Sequence, residues 1–196
     1  MRRLGPIPAG MRRDEIEEVT FEIVGEIETP YPKLEPEIEA ATDLVRQKRF
    51  SEAQAALENI LAREPRARQA YTNLAVVYFQ TGQSEAGEAL LRQAVAKFPR
   101  YGFARINLAR ICLKRGEVDE AWRILKPGGK LLSKFYVNEF QAYILTLCDL
   151  LAYQDDFEAA RAWLKLLRET MPGHPHFWRR RILYTFQGWL HRSAKR

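Results

Sequence analysis

Three histidines, two cysteines, a glycine–lysine run and an acidic turn are the parts of this chain whose residue types could do chemistry. His174 and His176, in "HPH", could present two imidazoles to a metal ion, with His191 as a third ligand. They sit in a Pro–Gly stretch with no carboxylate beside them, which leaves a metal site without a full ligand set. "PGGKLL" (127–132) is like a phosphate-binding loop, but lacks the upstream glycine and the Ser or Thr after Lys130 that such a loop needs. Asp155, Asp156 and Glu158 fall at a turn and the first residues of a helix, where acids offset the positive end of the macrodipole. Cys112 and Cys148 make neither a metal spacing nor a disulfide framework, and read as buried thiols. The reading is of a chain that is not an enzyme and has no cofactor and no metal.

What positions these residues is a pattern written more than once. "FSEAQAALENILAREP" (50–65), "SEAGEALLRQAVAKFP" (84–99) and "FEAARAWLKLLRETMP" (157–172) each carry a small residue, a leucine four positions on, and a closing proline. The small residues are Ala53, Gly87 and Ala160, the leucines Leu57, Leu91 and Leu164, and the prolines Pro65, Pro99 and Pro172. "VDEAWRIL" (118–125) adds Ala121 and Leu125. The interval is 34 residues from Ala53 to Gly87, 34 again to Ala121, and 39 to Ala160. Ahead of each stretch lies another helical segment: 37–46, 71–80, 105–114 and 144–153. Leu74-Ala75 with Tyr78, Leu108-Ala109 with Cys112, and Leu147-Cys148 with Leu151 keep one face of each such helix apolar. Gly82 and Gly116, between paired segments, suit the left-handed conformation that ends a helix. Each unit is therefore expected to be a helix–turn–helix hairpin.

These residues resemble the tetratricopeptide repeat (TPR) family over about residues 34–172. The second unit fits best, with Tyr71 where the family usually has Trp, then Leu74, Ala75, Tyr78, Gly87, Leu91, Ala94 and Pro99. "KFPRYGFARINLARICLKRGE" (97–117) resembles a stretch of uncharacterised prokaryotic TPR proteins. The first unit departs at Glu37 and Ala40, and the third after Leu125, where "KPGGKLLSKFYVN" is expected to interrupt the second helix. The resemblance implies an all-α fold, a right-handed superhelical solenoid of about four hairpins (34–67, 68–101, 102–140 with the insertion, 141–172). Residues 173–196 would be a basic capping helix and residues 1–33 an extended or disordered segment. Thr20–Val24 has the alternation of a short strand, and the segment either is disordered or lies back on the array.

Charge is distributed unevenly. The chain has 31 Lys and Arg against 25 Asp and Glu, a formal net charge of +6. Residues 173–196 hold six of the basic residues and no acid, which leaves 25 of each sign in residues 1–172. In "HFWRRRILYTFQGWLHRSAKR", Trp178, Ile182, Phe186 and Trp189 follow helical spacing with Leu183 and Leu190 beside them. Arg179, Arg180, Gln187 and His191 fall elsewhere on the wheel, so the apolar face would cover the last repeat. A basic aromatic helix also suits an anionic membrane surface, a nucleic acid or an acidic protein. Arg100, Arg105, Arg110, Lys114 and Arg115 read as a solvated face. No apolar run of about 18 residues is present to span a membrane, and "MRRLGPIPAGMRRD" lacks the apolar core of a secretory signal, so a cytoplasmic location is expected.

The family geometry implies that first helices line a concave surface. Gln69, Thr72, Val76 and Phe79 would face it in unit two, Phe103, Ile106, Arg110 and Leu113 in unit three, and Leu145, Asp149 and Tyr153 in unit four. The implied function is a non-catalytic adaptor that binds a peptide or helix of a partner protein there, with Arg110 for orientation. The alternatives are a nucleic-acid accessory using the basic tail, and a homo-oligomer or N-terminal segment filling the groove itself. The Lys/Asn clamp of chaperone-binding TPR modules is not expected. Asn73 and Asn107 match it, but Ile38 and Thr42 stand where Lys and Asn are needed.

Overall fold

The computed structural model of the protein describes residues 22–24, 31–131, 134–170, 180–185 and 187. Its helices pair in chain order. α1 (Glu35–Arg46) pairs with α2 (Phe50–Arg63), and α3 (Arg68–Gln80) with α4 (Ser84–Lys97). α5 (Gly102–Lys114) pairs with α6 (Val118–Leu131), and α7 (Val137–Tyr153) with α8 (Phe157–Thr170). Each helix packs on the next, and the first helices also touch one another, α1 on α3, α3 on α5, and α5 on α7.

The turns inside the pairs are copies of one another. Lys48, Gly82, Gly116 and Asp155 hold φ of 61°, 79°, 77° and 60°. In each, the third residue past the helix donates its N–H to the carbonyl five positions back: Arg49 to Leu44, Gln83 to Tyr78, Glu117 to Cys112, and Asp156 to Leu151, at 2.8–2.9 Å. This left-handed closure satisfies carbonyls that the helix end would otherwise leave bare. Glycine supplies it without steric cost in the two middle turns, whereas Lys48 and Asp155 adopt it against the Cβ penalty.

The core follows the repeat. Leu57, Leu91, Leu125 and Leu164, at one position of successive units, are each no more than 1% exposed. Burying such a side chain contributes about 1.5–3 kcal/mol. The small residue four positions earlier lets the paired helices approach. A Cβ built on Gly87 would lie 3.0 Å from the Phe79 ring and 3.2 Å from the Ala75 carbonyl oxygen, so that glycine is where α3 and α4 come closest to steric limits.

Two expectations change at the insertion. The second helix of unit three is not interrupted after Leu125, because α6 runs on to Leu131 and matches α2 and α4 at 14 residues. The buried row of Ala121, Ile124 and Leu125 holds it in register, although Pro127 supplies no N–H to its ladder. The extra residues go instead into β2 (Lys134–Tyr136) and an early start to α7, which begins seven residues before Ile144. β2 pairs in parallel with β1 (Glu22–Val24), Ile23 lying opposite Phe135. The described part of the N-terminal segment therefore lies back on the array, beside α7, and adds a short ladder to a fold otherwise built of helices. Phe135 anchors this corner, fully buried against the rings of Phe140 and Tyr143.

Candidate functional site

The contacts between first helices define one side of the stack, and the residues expected to line it divide by their phase in the repeat. Thr72, Ile106 and Leu145 occupy one position of units two, three and four. That position meets the next first helix. Thr72 is buried with its hydroxyl 3.1 Å from the Tyr101 hydroxyl, and Ile106 is 1% exposed within the shared core of units two to four. Leu113 is buried in the same core. These three are interior residues, because a helix packed against a following helix spends this stripe on the contact.

Val76, Arg110 and Asp149 share the next position on that face. Val76 is 38% exposed, and Arg110 is exposed with no hydrogen bond or ion pair among the described residues. Asp149 is already engaged: its carboxylate accepts from Arg180 Nη2 at 2.9 Å and from the Tyr184 hydroxyl at 2.7 Å. Arg180 also donates to the Leu145 carbonyl at 2.9 Å. Leu145 and Asp149 are thus taken by the helical residues 180–185. Gln69, Phe79 and Phe103 are half-buried, Phe79 over Gly87 and Phe103 against the Tyr101 ring at 5.9 Å. Tyr153 is 57% exposed at the far end of α7. The accessible part of the surface is therefore Gln69, Val76, Phe79, Phe103 and Arg110, on α3 and α5, with Tyr153 apart from them.

Beneath this patch lies a polar group with no forecast in the sequence. Glu139, 3% exposed, reaches from α7 to the start of α5. Burial pushes its carboxyl above the ordinary carboxylate range, while bonds from the Tyr136, Phe103 and Gly102 N–H groups and the charge of Arg68 pull the other way. The side chain thereby caps two helices at once. Arg68 lies 5.2 Å over the Tyr101 ring, whose hydroxyl burial pushes up to about 12.

The basic residues of 97–117 are not all solvated. Arg105 is buried, with Nε donating to the Pro99 carbonyl at 2.9 Å and Nη1 to the Ile124 carbonyl at 3.1 Å. Tyr71, 34 positions earlier, donates its hydroxyl to the Pro65 carbonyl at 2.9 Å. Arg105 thus does in unit three what the aromatic residue does in unit two, and its phase with Tyr71 was the available signal. Arg115 clamps Glu88 and Glu117, and Glu88 also receives Arg92; the bond from Arg115 holds the Glu88 carboxyl below its usual range. Asn73 is spent on Thr42 at 2.9 Å, and Ile38 is buried. Both thiols are buried, which pushes them up from the ordinary cysteine value. His174, His176 and His191 lie outside the described residues.

The C-terminal helix docks by a face other than the expected one. Tyr184 and Arg180 turn toward the array, while Ile182 and Leu183 are 68% and 47% exposed. Trp178, Phe186 and Trp189 lie outside the described residues.

A stack of helix hairpins in which first helices contact first helices is an α-solenoid. The chain carries tetratricopeptide repeats over part of its length: the family model of that description matches residues 44–100 and 84–132. PilF of Pseudomonas aeruginosa shares the fold at 15% identity and a TM-score of 0.66, over 82% of this chain and 71% of that one. A tetratricopeptide repeat protein from Parabacteroides merdae does so at 14% identity and 0.60, over 81% and 60%. YrrB, a TPR protein with an unusual peptide-binding site, does so at 19% and 0.54, over 76% and 75%. No curated protein matches the chain. Among the described residues, no helix is long and apolar enough to cross a membrane.

Proposed function

We propose that this protein is a non-catalytic adaptor that receives a peptide or helix of a partner protein on the α3–α5 side of the stack. Val76, Phe79 and Phe103 supply apolar contact, and Arg110 fixes the direction of an acidic or C-terminal carboxylate group. The observation that carries the reading is the state of Arg110. It is exposed without an ion-pair partner among the described residues, whereas Arg92, Arg115 and Arg180 on the same array are all paired. It stands one unit along from Val76, an exposed large aliphatic. Apolar contact beside an unspent cation suits a segment that ends or turns in an acid. YrrB supports the reading as a neighbour in fold that binds a peptide.

The test is comparative capture from nuclease-treated lysate using the wild type, Val76→Asp, Arg110→Glu and a control, Glu85→Lys, on the exposed start of α4. A discrete protein retained by the wild type and the control, and lost at least tenfold by both groove variants with helicity unchanged, is the expected result. Equal retention by all four proteins places binding elsewhere. Ile106→Asp, an obvious choice from sequence, is unsuitable because it would bury a charge in the core.

A further inference from the structure

We propose that the partner segment received on the α3–α5 side carries two acidic residues, one for Arg110 and a second for Arg68 at the start of α3. The inference rests on the adaptor reading and adds to it a second anchoring point and a spacing. Arg68 is half-buried, yet its guanidinium makes no hydrogen bond or ion pair among the described residues, and its Nε is wholly buried without an acceptor. A guanidinium has five N–H donors, and a cation drawn out of water with its donors unmatched is costly to keep. Arg105, by contrast, ends on the Pro99 and Ile124 carbonyls. Arg68 has no such acceptor.

Its surroundings position the guanidinium without satisfying it. It lies 5.2 Å over the Tyr101 ring, and the Thr72 hydroxyl holds that ring at 3.1 Å. Glu139, whose charge reaches Arg68, is spent on the N–H groups of Tyr136, Phe103 and Gly102. Phe103, part of the accessible surface, lies against the same ring at 5.9 Å, so Arg68 borders the groove. A planar cation fixed over an aromatic face keeps its N–H edge for a carboxylate, which it takes through two parallel bonds.

The repeat sets the spacing. Arg68 and Gly102 are the first residues of α3 and α5, and Arg110 lies eight positions past Gly102. Arg68 and Arg110 are therefore about 12 Å apart along the helix axes and about 9 Å apart across them. The resulting gap of about 15 Å is the reach of about four or five residues of extended chain. The occupant is an extended segment of a partner protein with acids at that interval and an apolar residue between them, seated on Val76 and Phe103.

The test pans random unstructured peptides displayed on phage against the full chain, as wild type, Arg68→Met and Arg110→Gln. The wild type should enrich peptides with two acids about four or five positions apart, and each variant should lose the requirement for one of them. Replacing that acid by alanine in a synthetic wild-type-selected peptide should weaken binding about tenfold to the wild type and leave binding to Arg68→Met unchanged. Arg68→Met keeps the apolar stem over Tyr101 and removes the unmatched donors, so its melting temperature should be unchanged or higher. If it fails to fold, Arg68→Lys carries the same comparison, because it keeps the charge without the two-pronged edge. Enriched peptides with a single acid, lost with Arg110→Gln and indifferent to Arg68, overturn this inference and leave the adaptor reading standing. No enrichment by the wild type overturns both. Self-association in sedimentation velocity that Arg68→Met abolishes also overturns it, since a second copy would then be the occupant.

Discussion

Arg105 and Tyr71 illustrate how two unlike side chains can fill one structural role. Each ends 34 residues apart on the carbonyl of the proline that closes the preceding unit, Pro99 or Pro65. An aromatic side chain does this with a hydroxyl at the end of a ring; arginine does it with a long apolar stem and a guanidinium that also reaches Ile124. Burial lowers the guanidinium from its usual value, so the two carbonyls are what make a charge tolerable there. Arg105→Ala strands both and should cost about 2–4 kcal/mol. Arg105→Tyr restores the bond to Pro99 and should recover at least half of that loss; urea unfolding of the three proteins measures it. Equal losses for Ala and Tyr would show that the charge, and not the shared acceptor, matters. This position was misread as solvated because a string of alternating basic and apolar residues looks like an exposed face. Only alignment with Tyr71 shows that its side chain points inward.

At the scale of helices, the repeat was legible because it is written in the leucines, small residues and turn glycines that do the packing. The turns at Lys48 and Asp155 were harder to read, since nothing about lysine or aspartate announces a left-handed backbone; the interval to Gly82 and Gly116 does. The groove was legible only in part. The sequence shows which residues share a helix face, but not how much of that face the next helix covers, and so Thr72, Ile106 and Leu113 were placed on a surface they do not reach. Glu139 belongs to this scale because it joins α5 to α7. Its folded-state carboxyl lies above the unfolded value, with burial as the leading cause. The folded chain therefore holds that proton more tightly. The stability it contributes is full below the unfolded value of about 4.3 and is lost as pH rises through the folded one. Against Glu139→Gln, the wild type should lose relative stability between pH 4 and pH 7 in parallel thermal melts. The opposite slope would mean that the three capping N–H groups outweigh burial.

At the scale of the molecule, the stack is a series of neighbours with one long tie across it. Ile23→Pro removes an N–H and fixes φ at a ladder position. It should speed amide exchange at Phe135 by at least tenfold, and leave α2–α4 unchanged. Unchanged exchange at Phe135 would show that the pairing makes no contribution to its protection. The tie has a consequence for the order of folding. Glu22 and Lys134 are partners 112 positions apart, and closing so long a flexible loop would cost about 4 kcal/mol, more than a three-residue strand recovers. Once the hairpins between them have stacked, most of that freedom is already gone. The ladder is therefore a seal that closes last, and a chain whose middle units have not assembled leaves the Lys134–Tyr136 edge open to other strands.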